Sequence, residues 1–223
     1  MFATTHSAMR DDVLLTPELL LRAYQAGIFP MSEARHSETL FWVDPERRGV
    51  IPLDGLHISR SLRRDIRRAD YEMRINTDFS GVLEGCANRA ETWINEELQH
   101  LYHRLYAARR AHSMEIWQDG RLAGGIFGVA IGGAFFGESM FSARTNASKI
   151  AMVYLVDRLR ETGFELFDTQ FLTDHLASLG AVEITRGDYR DVLAGALRLN
   201  GDFTRDFGSV APQDVLQRMT QTS

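Results

Sequence analysis

The sequence predicts a mixed α/β (α+β) chain in two parts: a small N-terminal α/β domain over residues 1–66, and a larger domain over residues 67–223 built on a mixed sheet. Three observations predict it. Four of the five prolines, Pro17, Pro30, Pro45 and Pro52, lie with Gly27, Gly49 and Gly55 in the first stretch and break it into short elements. From Tyr71 onward, segments that alternate with a period of two interleave with segments of helical period. Of the 223 residues 44% are hydrophobic, enough for a sizeable core.

In chain order, Thr16 can cap a helix whose first turn holds Pro17, with Leu20, Leu21 and Tyr24 as its apolar stripe and Gly27 as its stop. Phe41-Trp42-Val43 and Gly49-Val50-Ile51 read as short strands. Five arginines follow within nine positions. Tyr71 to Ile75 alternates as a strand, and Asp78 to Ala87 reads as a short helix. Asn95 can cap a longer helix with Leu98, Leu101 and Leu105 on one face. Ser113–Trp117 and Leu122–Ile131 are strands joined by Asp119-Gly120, the dipeptide of a type I′ hairpin. Gly132-Gly133 turns the chain into a third strand, Ala134–Phe141. A helix spans about Asn146 to Glu161 and stops at Gly163. A strand from Phe164 to Gln170, a short helix from Asp174 to Leu179, a strand from Val182 to Thr185 and a helix from Asp188 to Leu199 complete the order. A three-strand meander followed by a βαβ crossover resembles the scaffold of the acyl-coenzyme A N-acyltransferases, a GNAT-like architecture.

Composition narrows the function classes. The single cysteine, Cys86, excludes an internal disulfide framework and a cysteine-cluster metal site, and a reducing compartment fits best. Residues 1–6 lack the basic and apolar blocks of a leader, and no apolar run has the roughly 20 residues of a membrane span, so a cytoplasmic protein is expected. Net charge is −5, yet Lys149 is the only lysine and the basic charge is concentrated in Arg60, Arg63, Arg64, Arg67 and Arg68. Arginine grips phosphate oxygens with a two-donor fork. The same cluster also reads as a solvated helix face.

The strand ending Phe167-Asp168-Thr169-Gln170 carries the strongest chemical signal. Alternation places Asp168 and Gln170 on one face with Phe164 and Leu166, at the strand's C-terminal end, where α/β folds gather ligands. A polar pair there needs hydrogen-bond partners, and a pair that only caps local backbone is the competing reading. Glu138 lies in the aromatic strand Phe135-Phe136-Gly137-Glu138-Ser139-Met140-Phe141, on one face with Phe136 and Met140 by alternation. It needs a partner or a raised pKa. Trp93, just before the capping Asn95, serves as a hydrophobic staple or as a stacking platform for a base. His100 and His103 lie one turn apart without a third metal ligand, and no Gly-x-Ser-x-Gly elbow is present. The junction Ser142 to Lys149 has no glycine with which to cradle coenzyme A pyrophosphate, although a helix N-terminus and Lys149 remain there for an anion.

Six collinear segments resemble the leucyl/phenylalanyl-tRNA–protein transferase family. They are Ala23-Tyr24-Gln25-Ala26-Gly27-Ile28-Phe29-Pro30, Leu56-His57-Ile58-Ser59-Arg60-Ser61-Leu62, Thr92-Trp93-Ile94, Gly137-Glu138-Ser139-Met140-Phe141-Ser142, Asn146-Ala147-Ser148-Lys149 and Asp174-His175-Leu176-Ala177-Ser178-Leu179-Gly180-Ala181. The resemblance implies a GNAT-like domain that has exchanged coenzyme A for aminoacyl-tRNA. It implies transfer of Leu, Phe or Met to proteins that begin with Arg or Lys, a mark for degradation by the N-degron route. By the same resemblance, Asp168 and Gln170 are the catalytic pair with Glu138 beside them. Ile126, Phe135, Met140, Met152, Leu155 and Phe167 line the donor side-chain pocket. Trp93 and Thr173 meet the tRNA 3′ end, and the five arginines hold its phosphates. Aminoacyl-tRNA and a protein or peptide with N-terminal Arg or Lys are the implied partners, with no membrane, DNA, cofactor or metal, and a monomer is expected. Two positions depart from the family pattern. Met31 stands where some members have tryptophan, which removes one aromatic wall of the adenosine site. Thr173 stands where asparagine is common.

Overall fold

The computed structural model describes residues 5–8, 15–35, 37, 39–89 and 92–220. Residues 1–4, part of the stretch that argues against a leader, lie outside them. The chain begins with β1 (Thr5–Ala8) and α1 (Pro17–Gln25), the latter capped by Thr16, whose hydroxyl accepts from the Leu19 N–H. It continues through β2 (Phe29–Ser32) and β3 (Leu40–Asp44), which with β1 form a three-stranded antiparallel sheet in the order β1-β3-β2. β4 (Arg47–Val50) and α2 (Arg60–Arg68) follow, with Ser59 capping α2.

The predicted order then appears: β5 (Glu72–Ile75), α3 (Phe79–Ala87), α4 (Glu96–Ala107), β6 (Ala111–Gln118), β7 (Arg121–Ile131), β8 (Ala134–Ser142), α5 (Ala147–Glu161), β9 (Leu166–Gln170), α6 (Asp174–Ser178), β10 (Val182–Thr185) and α7 (Arg186–Ala196). A further helix, α8 (Pro212–Arg218), lies beyond the elements expected from the sequence. Asp119 and Gly120 adopt φ of 52° and 70°, as the β6–β7 hairpin requires. Asp78 and Asn95 cap α3 and α4.

The main sheet has seven strands in the order β10-β4-β9-β8-β7-β6-β5. Every neighbouring pair is antiparallel except β8 and β9, the parallel pair of the crossover. β4 precedes residue 66, the end expected for the small domain, and pairs inside this large sheet. Successive strand residues enter opposite cores, as the pleat demands. Val50, Phe127, Phe136 and Leu166 join α1, α3, α4 and α7, whereas Ile51, Ile126, Phe135 and Phe167 join α2, α5 and α8.

Two irregularities change which residues share a face. Gly128 pairs with Gly137 but Phe127 pairs with Ser139, so Glu138 is an extra residue without a partner on β7. The alternation flips across this bulge: Phe136 enters one core and Met140 packs against the other. The expectation that Phe136, Glu138 and Met140 share one face is thus corrected. Likewise β9 starts at Leu166. Phe164 lies before it, its N–H closing onto Leu159 O after Gly163 at φ 88°, and packs edge-on to Phe135 in the core opposite Leu166. Phe164 therefore does not share a face with Asp168.

Candidate active site

The β8–β9 pairing stops at Phe136 opposite Asp168, and beyond that point the two strands part. Strands that diverge leave backbone and side chains facing a gap that only other side chains or a ligand can fill. A cavity of about 80 Å³ lies there, lined by Ile126, Gly137, Glu138, Ser139, Met140, Met152, Phe167, Thr169 and Leu176. Four of the six residues expected for the donor pocket, Ile126, Met140, Met152 and Phe167, are on its wall. Phe135 and Leu155 are buried in the same core but do not line it.

Asp168 is fully buried and fully engaged. The equally buried Arg48 grips it with a fork, Nε to Oδ1 at 2.9 Å and Nη2 to Oδ2 at 2.6 Å. The Tyr189 hydroxyl donates to Oδ2 at 2.6 Å, and the Gln170 backbone N–H donates to Oδ1 at 2.7 Å. Arg48 donates its remaining terminal nitrogen to Gly27 O and lies between the Phe29 and Tyr189 rings, 4.5 Å from each centroid. Burial works against the charge on Arg48, and Asp168 more than offsets it, raising the guanidinium pKa. A two-hydrogen-bond pair with every lone pair occupied is what allows such a buried charge pair to persist.

Asp168 therefore fixes the backbone of Gln170. That backbone needs fixing: Gln170 has φ 66°, a left-handed conformation that a side chain other than glycine adopts at a cost. The Gln170 side-chain amide does not donate to Asp168, its partner in the pair that the resemblance implies. Glu138 takes that role instead, since Gln170 Nε2 donates to Glu138 Oε2 at 3.2 Å. Glu138 also accepts the Tyr24 hydroxyl at 2.7 Å and the Tyr102 hydroxyl at 2.6 Å. Burial lifts the Glu138 carboxyl to about 7; the hydroxyls and the amide pull it down, and Asp168 pushes it up. Gln170 Oε1 has no partner among the described residues, so this side chain ends in a free acceptor whose orientation is set from the nitrogen side.

Arg48, Tyr24, Tyr102 and Tyr189 were not visible as site residues in the sequence. Tyr24 was readable as part of a helical apolar stripe and of a family-like segment, in neither case as a site residue. Arg48 lies 120 residues from Asp168 along the chain. Trp93 is half-buried against the core that holds Leu98. Thr173 caps α6, its oxygen accepting the Leu176 N–H at 3.2 Å, which leaves its hydroxyl hydrogen and one lone pair for other contacts. On α2, Leu62 and Ile66 face the core, Arg60, Arg64, Arg67 and Arg68 are exposed and Arg63 is half-buried. Arg68 pairs with Asp70 at 2.9 Å and Arg64 approaches Asp65 at 4.0 Å, contacts that exposure makes weak. Among the described residues no helix is long and apolar enough to cross a membrane.

Comparison with known proteins places these residues in context. Residues 50–194 match the model of the leucyl/phenylalanyl-tRNA protein transferases, and residues 14–46 match that of the same family's N-terminal domain. A leucyl/phenylalanyl-tRNA–protein transferase of Ruegeria pomeroyi is 60% identical over 209 residues, covering 94% of this chain and 99% of the relative. One of Jannaschia sp. is 61% identical over 202 residues, 91% of this chain and 93% of the relative. Among solved structures, L-PGS from Bacillus licheniformis aligns with a TM-score of 0.39 at 15% identity, covering 72% of this chain and 55% of that one.

Proposed function

Because this chain belongs to the leucyl/phenylalanyl-tRNA–protein transferase family, we propose that it moves leucine, phenylalanine or methionine from aminoacyl-tRNA to the α-amino group of proteins beginning with Arg or Lys. The modified proteins would enter the N-degron route of degradation, and the enzyme would act in the cytoplasm as a monomer without a cofactor. One observation carries the reading: a buried, hydrogen-bonded side-chain network ends in a Gln170 oxygen that has no partner among the described residues, beside an apolar cavity where β8 and β9 part.

The chemistry asks for little beyond this. An aminoacyl ester is already activated, and an α-amino group with a pKa near 7.7–8.0 is partly neutral at cellular pH. Gln170 Oε1 accepts a hydrogen bond from the attacking amine and aims its lone pair. Glu138 holds the other end of that amide, while Asp168 and Arg48 hold the backbone beneath it. Such positioning supplies ~7–11 kcal/mol in favourable cases. The donor side chain fills the cavity against Ile126, Met140, Met152 and Phe167. An apolar pocket separates side chains that differ by one methylene by only ~1–3 kcal/mol, so more than one donor is expected. Trp93 and the free hydrogen of the Thr173 hydroxyl are assigned to the tRNA 3′ end, and the α2 arginines to its phosphates.

The test mixes purified protein with labelled Leu-tRNA and a peptide beginning with Arg, and follows label onto the peptide. Transfer is expected with the wild type, and Gln170→Ala should lower turnover by about a hundredfold while leaving tRNA affinity intact, the scale of a lost positioning contact. Acetylation of the peptide from acetyl-coenzyme A in place of aminoacyl transfer would refute the proposal.

A further inference from the structure

Thr169, which was not anticipated as a site residue, carries one of only two buried side-chain polar atoms without a hydrogen-bond partner among the described residues. It sits between Asp168 and Gln170. It is also the extra residue of β9, since β4 pairs Gly49 with Gln170 and Val50 with Asp168 and leaves Thr169 without a partner on β4. Thr169 lines the cavity at the parting of β8 and β9. Two other cavity residues bear hydrogen-bonding side chains. Glu138 is occupied by Tyr24, Tyr102 and Gln170, and the Ser139 hydroxyl, near enough to the Cys86 thiol to lower its pKa, is not among the buried polar atoms that lack a partner. Among the described residues that line the cavity, only Thr169 carries a buried side-chain polar atom without a partner, and a buried hydroxyl without a partner is unfavourable unless a ligand supplies one.

This inference rests on the reading given under Proposed function. The donor side chain is apolar, so the polar groups that reach the cavity are the α-ammonium and the ester carbonyl. The ammonium carries only donors and is drawn to carboxylate and amide oxygens. The carbonyl oxygen only accepts, and needs an O–H or N–H. We propose that Thr169 is a catalytic residue whose Oγ–H donates to the carbonyl oxygen of the aminoacyl ester and holds the charge that develops there. The amine nitrogen bonds to the carbonyl carbon, and the π pair moves onto the oxygen facing Thr169. When that pair returns, the bond from carbon to the ribose oxygen breaks. The ribose oxygen leaves with the bonding pair and takes up the proton that the amine gives away. The hydroxyl matters more as charge grows on the carbonyl oxygen, so its effect falls on turnover and not on ground-state binding.

Thr169→Val keeps the shape and removes the hydroxyl, and Thr169→Ser keeps the hydroxyl. With Leu-tRNA and an Arg-starting peptide, Thr169→Val should lower kcat about a hundredfold, the scale of one lost oxyanion donor, with KM for Leu-tRNA within about twofold. Thr169→Ser should recover most of the loss. Free Thr169→Val should melt at or above the wild-type temperature, because the hydroxyl has no partner among the described residues to lose. The proposal is overturned if Thr169→Val turns over within about threefold of wild type, if only KM changes, if serine fails to rescue, or if the valine variant loses melting temperature in step with its activity. Absence of any transfer by the wild-type protein would instead refute the family-based reading on which this rests.

Discussion

At Asp168, a carboxylate that the family resemblance makes one of a catalytic pair is half of an ion pair with Arg48, 1% exposed on one side and 0% on the other. Removing one member of such a pair leaves a buried charge without compensation, at about 3–5 kcal/mol, whereas replacing both by apolar groups is far milder. Asp168→Ala should therefore lose about that much in chemical denaturation, and Asp168→Ala/Arg48→Met should regain most of it while turnover stays low. Recovery of turnover along with stability would remove Asp168 from the positioning of Gln170. Glu138 behaves differently because it is buried without a cation in direct contact. Its carboxyl stands at about 7 against 4.5 in the ordinary case, lifted first by burial. The folded protein then holds this proton more tightly than the unfolded chain. The resulting stability is complete below the ordinary glutamate range and is lost as pH rises through about 7. Glu138→Gln should abolish that decline, so denaturation midpoints of variant and wild type should diverge in the variant's favour between about pH 5 and pH 8. The ionised carboxylate is also the better acceptor for the Gln170 amide, so wild-type turnover should carry a rise near pH 7 in addition to the one from the acceptor amine near 7.7–8.0, and the variant should keep only the amine's. The presence of Asp168, Gln170 and Glu138 as unusual polar residues was legible in the sequence. Their division of labour was not, because it depends on which of them faces Arg48 and which faces two tyrosines.

Among the elements, β8 and β9 show how far a periodic pattern carries. Their existence, order and crossover followed from alternation and turn residues. The bulges at Glu138 and Thr169 did not, since one extra residue in a strand leaves no mark on composition and shows only against the neighbouring strand. Those two residues are nonetheless what turns a regular parallel pair into the wall of a cavity. Gly49 makes the end of β9 possible. A Cβ there would fall 2.6 Å from the Phe171 carbonyl carbon and 2.8 Å from Leu172 N, both backbone atoms that cannot swing aside. Gly49→Ala should push the strand end away from β4, lower stability by about 1–3 kcal/mol as other overpacking changes do, and depress turnover because Gln170 is the residue opposite. Unchanged denaturation and unchanged kcat would show that β9 tolerates the shift.

For the molecule as a whole, the site is an assembly of distant segments. α1 brings Tyr24, β4 Arg48, α4 Tyr102, β8 Glu138, β9 Asp168 and Gln170, and α7 Tyr189. The early segment is thus bound to the later one through the site itself and through β4 in the large sheet. On the outside, α2 exposes Arg60, Arg64, Arg67 and Arg68 and half-exposes Arg63, although the net charge is −5. If they hold tRNA phosphates, binding should weaken steeply with salt, and Arg63→Glu/Arg67→Glu should reduce the log–log slope by roughly 1.4–1.8. A slope unchanged by the double variant, measured by filter binding, would assign the tRNA body to another face. By itself the sequence determined the order of elements from β5 to α7, the caps and turns of several of them, and the motifs that resemble a family, because each of these is written in residues close together along the chain, whereas α8 went unread. Only the tertiary structure decided that Asp168 is neutralised by Arg48, that Glu138 and not Asp168 orients the Gln170 amide, and that Thr169 is left without a partner. Those outcomes turn on strand register and on contacts across as many as 120 residues, and hydrogen-bond partners chosen by three-dimensional proximity have no local signature.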